Sequence, residues 1–307
     1  MLEALDPPPD KELSRLTKDE WREYTKTVWQ IPNTSDPDHP AVFPKEIPHR
    51  LVKLFTFVGE TVLDPFAGIG TTVQASLDLD RRAIGIDQNC DYIRVAQQRL
   101  GLRASFGDAE LRVGDSRNLS WLKAGAVDLV VTSPPYWDKA AYGDDAANLG
   151  NRRGYLEFVE SLRPVFAECL RVLKPGRKLC IVTANVNQHT DEGLLSFPLS
   201  ADLTLMLRDL GYVMINEIIW NKDGTGGKWG SWGKQRPIFG SYPYPPNFLF
   251  KTVHEYILVF ATPKTVKVRG PKVKLLNSLL EHGRNGLGQT AQTIESALSQ
   301  TIELEES

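Results

Sequence analysis

The sequence predicts an α/β protein built on a mostly parallel, doubly wound sheet with an antiparallel hairpin at one edge. Three observations carry this. From Thr61 onward, short apolar runs alternate with amphipathic segments of helical period. The first run is followed at once by a glycine-containing turn, Asp64-Pro65-Phe66-Ala67-Gly68-Ile69-Gly70, that feeds a helix. Two late runs, Tyr212 to Trp220 and His254 to Ala261, have no long helix between them.

In order along the chain, residues 1–16 read as a flexible arm, acidic and rich in proline at the start and unlike a secretory signal. Thr17-Lys18-Asp19-Glu20 has the capping-box pattern and opens a helix to about Trp29. Residues 30–48 hold five prolines and are expected to be irregular, leading into a helix around Arg50 to Phe57. Strands follow at Thr61 to Leu63, Arg82 to Ile86, Leu111 to Val113 and Val127 to Val131, with helices at Thr71 to Leu79 and Cys90 to Leu100. Gly154 to Val172 is a long helix that Pro164 is placed to kink, stopped by Lys174-Pro175-Gly176. Lys178 to Thr183 is a strand and Leu199 to Leu210 a helix closed by Gly211. The main domain is thus expected over 17–262, with an insert at 222–252 and a tail at 263–307, first basic and then polar, partly disordered or helical.

In 307 residues, 41% are apolar and 24% charged, as in soluble globular proteins, and no apolar stretch reaches about 18 residues, which argues against a membrane span. Cys90, Cys169 and Cys180 are few, scattered and odd in number, which fits buried thiols of a cytoplasmic protein, and the five histidines show no ligand spacing, so no metal is expected. The net charge of −2 is unevenly spread. From Lys222 to Arg284, 11 Lys and Arg stand against Asp223, Glu255 and Glu281, a local +8 that leaves −10 elsewhere. This excess is interleaved with aromatics, a mixture suited to phosphate contact and base stacking. Lys222, Lys228, Trp229, Trp232, Lys234, Arg236, Tyr242 and Tyr244 are the candidate nucleic-acid contacts, together with Trp137.

Gly68 and Gly70 let backbone approach a ligand closely after the first strand, but the third glycine of the dinucleotide fingerprint is missing. Three carboxylates stand at successive strand ends. Asp64 is placed to bind an ammonium, Asp87 to accept from ribose hydroxyls, and Asp115 to read an adenine edge. Phe66, Thr71, Thr72 and Ser116 complete the candidate lining. A nicotinamide cofactor would bring a pyrophosphate against Asp64, which is unfavourable. S-adenosyl-L-methionine (AdoMet) has no phosphate, and its ammonium suits an acid.

The strand Val127 to Val131 runs into Ser133-Pro134-Pro135-Tyr136. Prolines supply carbonyls without N–H groups and stiffen their predecessors. A hydroxyl, fixed carbonyl acceptors and an aromatic ring suit a flat ring bearing an amine whose lone pair must be freed and aimed. With the Asp64-to-Thr72 turn, this tetrapeptide resembles the signature pair of the amino-methylating DNA methyltransferases, which act on cytosine N4 or adenine N6. Arg171-Val172-Leu173-Lys174-Pro175-Gly176, Trp220-Asn221-Lys222 and His254-Glu255-Tyr256 extend the resemblance over most of 17–262.

The resemblance implies a Rossmann-like AdoMet-dependent methyltransferase fold. It implies AdoMet as cofactor, with Phe43 in the segment that closes over it, and double-stranded DNA as substrate with the target base flipped out. Serine at the first motif position resembles the cytosine-N4 group; adenine N6 is the alternative, and an AdoMet-binding DNA-recognition module without catalysis is the non-enzymatic one. No cysteine follows a proline, which argues against cytosine-C5 chemistry. A cognate restriction endonuclease is a partner that the resemblance allows, as it allows a monomer or a homodimer. The cofactor motif precedes the catalytic one, with no large recognition domain between them, so recognition is expected from 138–153, 222–252 and the tail.

Overall fold

The structure is a computed structural model that describes residues 10–34, 36–37, 43–101, 108–137, 154–190, 193–223 and 252–264. The elements run α1 (Lys18–Tyr24), β1 (Val28–Gln30), α2 (Glu46–Phe55), β2 (Thr61–Asp64), α3 (Thr71–Leu77), β3 (Arg82–Asp87), α4 (Cys90–Leu100), β4 (Ala109–Val113) and β5 (Val127–Thr132). They continue with α5 (Tyr155–Val172), β6 (Leu173–Thr183), β7 (Val186–Thr190), β8 (Gly193–Phe197), α6 (Leu199–Asp209), β9 (Val213–Asn221) and β10 (His254–Ala261). The main sheet has the order β1-β9-β10-β6-β5-β2-β3-β4. Among the described residues, β10 runs against its two neighbours and every other pairing in this sheet is parallel. A mostly parallel sheet with one late strand inserted antiparallel is the Rossmann-like methyltransferase fold.

Side-chain alternation divides the core into two layers. Leu129 and Val131 of β5, with Ile257 and Val259 of β10, pack under α2 with Trp29, Ile47 and Leu51. Val130, Leu258 and Phe260 pack on the other face with Phe158 and Phe166 of α5 and Leu203 and Leu207 of α6. A fully buried side chain of this size contributes roughly 1.5–3 kcal/mol.

Four features depart from the sequence expectation. The capping box of α1 forms, with Glu20 N–H on Thr17 Oγ1 at 3.2 Å and Thr17 N–H on Glu20 Oε2 at 2.9 Å. The helix nevertheless ends at Tyr24 rather than near Trp29, because Val28–Gln30 pairs with Ile219–Asn221 and buries Trp29 completely. Tertiary pairing overrides helix propensity there. As a result β1, and not the β9–β10 hairpin, forms the edge of the sheet. Lys174-Pro175-Gly176 does end α5, but it lies within β6 as a bulge: Leu173 faces Val127, Lys178 faces Leu129, and Gly176 takes φ +79°. The β7–β8 hairpin has no counterpart in the sequence expectation.

The sheet end away from the strand C-termini is held by Asp128, which is 1% exposed. Its Oδ2 accepts from Thr61 N–H at 3.1 Å, while Lys174 Nζ at 2.8 Å and Arg177 Nη2 at 3.0 Å meet Oδ1. One carboxylate thereby joins the start of β2, β5 and the β6 bulge. Asp128→Ala should cost about 2–4 kcal/mol, since it strands a buried N–H and removes the charge partner, and Asp128→Asn should cost less because an acceptor remains. Urea unfolding of both variants measures this.

Candidate active site

The β2 and β5 strands are neighbours, and their C-terminal ends carry the two sequence signatures. The chain leaves β2 into α3, which packs on α2, and after β5 it next forms α5, which packs on α6 under the opposite face. The C-terminal edge between β2 and β5 is therefore the topological switch point where ligands bind in open α/β sheets.

Asp64 ends β2 and is 2% exposed. Its Oδ1 accepts from Thr132 Oγ1 at 2.7 Å and from Phe66 N–H at 3.0 Å. Thr72 also faces this carboxylate, though its buried hydroxyl lies beyond proper hydrogen-bond geometry. Burial pushes the Asp64 carboxyl up to about 6 against these lowering contacts. Thr132 is a site residue that the sequence reading misses. The available signal is a hydroxyl closing an otherwise apolar strand, immediately before Ser133.

The glycine turn is built on Asp87 at the end of β3. Gly68 N–H donates to Asp87 Oδ2 at 2.8 Å, and Asn89 N–H donates to Oδ1 at 2.9 Å. Asp87 therefore shapes the loop as well as facing the site, and burial raises its pKa. Gly70 caps α3 at φ +85°, where an added Cβ would lie 3.0 Å from Ala96 Cβ, so both conformation and packing require glycine. Thr71 opens α3, half-buried, and Thr72 lies beneath it.

Asp115 and Ser116 follow β4. Arg117 Nε lies 2.8 Å from Asp115 Oδ2 and its own N–H 2.9 Å from Oδ1. Burial raises the Asp115 pKa, but the Arg117 guanidinium outweighs it and holds the carboxyl below its ordinary value. Ser116 Oγ is buried and donates to Pro65 O at 2.7 Å, so it anchors the turn after β2.

Beyond Thr132, Ser133 and Pro135 are half-buried and Pro134 is buried. Tyr136 is half-buried, and its hydroxyl donates to Glu255 Oε2 at 2.9 Å. Lys222 Nζ binds Glu255 Oε1 and lies 4.3 Å from the Trp220 ring centroid. Phe66 packs, half-buried, on the α5 side of the core.

Three placements differ from the sequence reading. Trp137 is 8% exposed, with ring centroids 5.4 Å from Tyr155 and 4.9 Å from Phe197, so it is a core residue rather than a platform open to a base. The Lys222 side chain is 15% exposed and committed to Glu255, not presented to solvent. Phe43 packs, half-buried, on the core under α2. Lys228, Trp229, Trp232, Lys234, Arg236, Tyr242 and Tyr244 lie outside the described residues.

The raised pKa of Asp64 makes a pH-dependent prediction. Between its ordinary value of 3.8 and about 6, the folded chain holds a proton that the unfolded chain has lost, so stability falls as pH rises through that window. Above it the buried charge costs about 3 kcal/mol, at 1.36 kcal/mol per unit. Asp64→Asn keeps an Oδ1 acceptor for Thr132 and Phe66. It should stabilise the ligand-free protein by about that amount at pH 8, a gain that vanishes below about pH 4; thermal melts of both proteins across pH 4–8 measure it.

Comparison with known proteins agrees with this geometry. The chain matches the DNA methylase family N6_N4_Mtase over residues 4–98 and 127–293. It is 32% identical over 123 residues to the Type II methyltransferase M.MjaI of Methanocaldococcus jannaschii, covering 38% of each chain. Over 89 residues it is 40% identical to the Type II methyltransferase M.BglI of Bacillus subtilis, covering 28% of this chain and 26% of that one. The matched stretches thus span well under half the length of these relatives. Among solved structures, the DNA modification methylase TTHA0409 of Thermus thermophilus, complexed with S-adenosyl-L-methionine, is 33% identical, covering 52% of this chain and 57% of that chain at a TM-score of 0.37. The sheet order, rather than this partial superposition, carries the fold. With both signatures brought together at the switch point and the family matched over most of its length, this chain belongs to the N6/N4 DNA methylases.

Proposed function

We propose that this protein transfers a methyl group from AdoMet to an exocyclic amine of a base in double-stranded DNA, cytosine N4 being the leading target. The observation that carries this reading is the Thr132–Asp64 hydrogen bond, which fastens the Ser133-to-Tyr136 turn to the carboxylate on the cofactor side.

The residues fit AdoMet by their chemistry. A buried carboxylate with a raised pKa gains from a cation beside it, and the ammonium of the methionine moiety supplies one. Asp87 would take the ribose hydroxyls, with Phe66, the turn through Gly68 and Gly70, Thr71 and Thr72 around the remainder. Phe43 and Ser116 act from behind this lining. Asp115, held by Arg117, meets the adenine with a carboxylate whose charge is already balanced. When bound, AdoMet supplies an electrophilic methyl group.

The amine lone pair of cytosine or adenine is delocalised into the ring. Ser133 Oγ and the carbonyls of the Pro134-Pro135 turn accept the amine hydrogens, which pulls the nitrogen out of conjugation, and Tyr136 stacks on the flipped base. The proline turn contributes no competing N–H. DNA contact is assigned to 138–153, to the basic and aromatic 222–252 segment and to the tail, and a companion restriction endonuclease in a prokaryotic cytoplasm belongs to the same reading. Adenine N6 is the second reading. It is favoured by 32% identity over 89 residues to the DNA adenine methyltransferase YhdJ of Escherichia coli, covering 27% of this chain and 30% of that one.

The test is incubation with labelled AdoMet and mixed-sequence duplex DNA, followed by digestion and nucleoside analysis. N4-methylcytosine is the expected product. N6-methyladenine would replace the base assignment, and AdoMet binding with no methylated nucleoside would favour a recognition module. Ser133→Ala should lower kcat by about two to three orders of magnitude while the Kd for AdoMet stays within about twofold, as for loss of one preorganised polar group at the reacting centre.

A further inference from the structure

We infer that Glu255, held by Lys222, is a positioning residue that sets the orientation of the Tyr136 ring for the target base. The inference rests on the methyl-transfer reading above and adds two residues to its machinery.

The geometry forms a chain of restraints from the sheet edge to the motif. Trp220 Nε1 donates to Ile31 O at 2.8 Å, which fixes the indole at the end of β9 beside β1. Lys222 lies over that indole and binds Glu255 Oε1. The other oxygen, Oε2, accepts from Tyr136 at 2.9 Å. The Lys222 and Glu255 side chains are 15% and 16% exposed, so their pairing is little weakened by water. Lys222 N–H also bonds Val253 O at 2.8 Å, which closes the neck between β9 and β10.

An aromatic side chain on a turn has two free torsions, and packing on one side leaves its hydroxyl end free to swing. A carboxylate accepting from that hydroxyl removes the freedom, and a lysine on the opposite oxygen keeps the carboxylate from following. Segments of the chain as far as 119 residues apart converge on one phenol. The ring is then set before the base arrives, which lowers the ordering required at the moment of binding.

The test is a double-mutant cycle with Tyr136→Phe and Glu255→Gln, read as kcat and KM for the DNA that the wild type methylates, with the AdoMet Kd measured by equilibrium dialysis. Each single variant should lower kcat/KM for DNA about tenfold, typical of a lost hydrogen bond to a charged group, with AdoMet Kd within about twofold. The double variant should be no worse than either single one, because both act through the same hydroxyl. Lys222→Met should reproduce the Glu255→Gln loss, and Lys222→Arg should restore most of the activity. A multiplicative loss of about 100-fold in the double variant would overturn the inference, as would a Glu255→Gln enzyme with wild-type kinetics, or one that loses AdoMet binding in step with DNA turnover. A wild type that transfers no methyl group would sink the methyl-transfer reading and this role with it; an active wild type with additive losses would sink the role alone.

Discussion

The hydrogen bond from Thr132 to Asp64 is the contact on which the site depends. It crosses between the last residues of β2 and β5, whose pairing also aligns Val62 with Leu129 and Leu63 with Val130. Each strand ends in a turn that can do little alone. Asp64 leads into the glycine turn, and Thr132 leads into the proline turn. Because both side chains are buried, the bond forms in a low dielectric and fixes the two turns relative to one another. A nucleophile and the methyl group it attacks must meet within a fraction of an ångström, and shared strand ends on a rigid sheet provide that.

The cost of the arrangement is a carboxylate buried with hydroxyl and N–H partners in place of a cation among the described residues. Its raised pKa measures how poorly the ligand-free fold tolerates the charge. The same property makes the site selective for a cationic ligand and weakly stable without one, a trade of stability for function common at binding sites. Asp87 takes the opposite solution. Backbone N–H groups of Gly68 and Asn89 satisfy it, so it serves as the frame of the glycine turn while remaining partly exposed toward a ligand.

At the other side of the sheet, β1 turns a loose prelude into a structural element. Its Trp29 is buried completely, and Ile31 offers the carbonyl that holds Trp220. Arg50, 5% exposed, lies over the rings of Tyr24 and Trp29 at 4.9 and 5.2 Å and binds Glu46, tying α1 and α2 to the same layer. The edge strand thus supports β9, and β9 in turn supports the polar network that reaches Tyr136.

Much of this is legible in the amino-acid sequence. The period of the apolar residues marks most strands and helices, and α4 is bounded at Cys90–Leu100 in both sequence and structure, because a capping Asn89 and a terminal Gly101 flank it. The two signatures can be read because glycine and proline impose local backbone geometry that few other residues allow. What stays hidden is long-range. Whether Thr25 to Gln30 continue a helix or join a sheet is decided by β9, far along the chain. Whether Trp137 faces a base or the core is decided by Tyr155 and Phe197. Whether Lys222 is a surface cation or a strut is decided by Glu255. The chain alone determined its fold class, its family and the residue types brought to the switch point, since these follow from local pattern. Only the tertiary structure decided which side chains restrain one another, since hydrogen bonds and burial between distant segments leave no periodic trace in sequence.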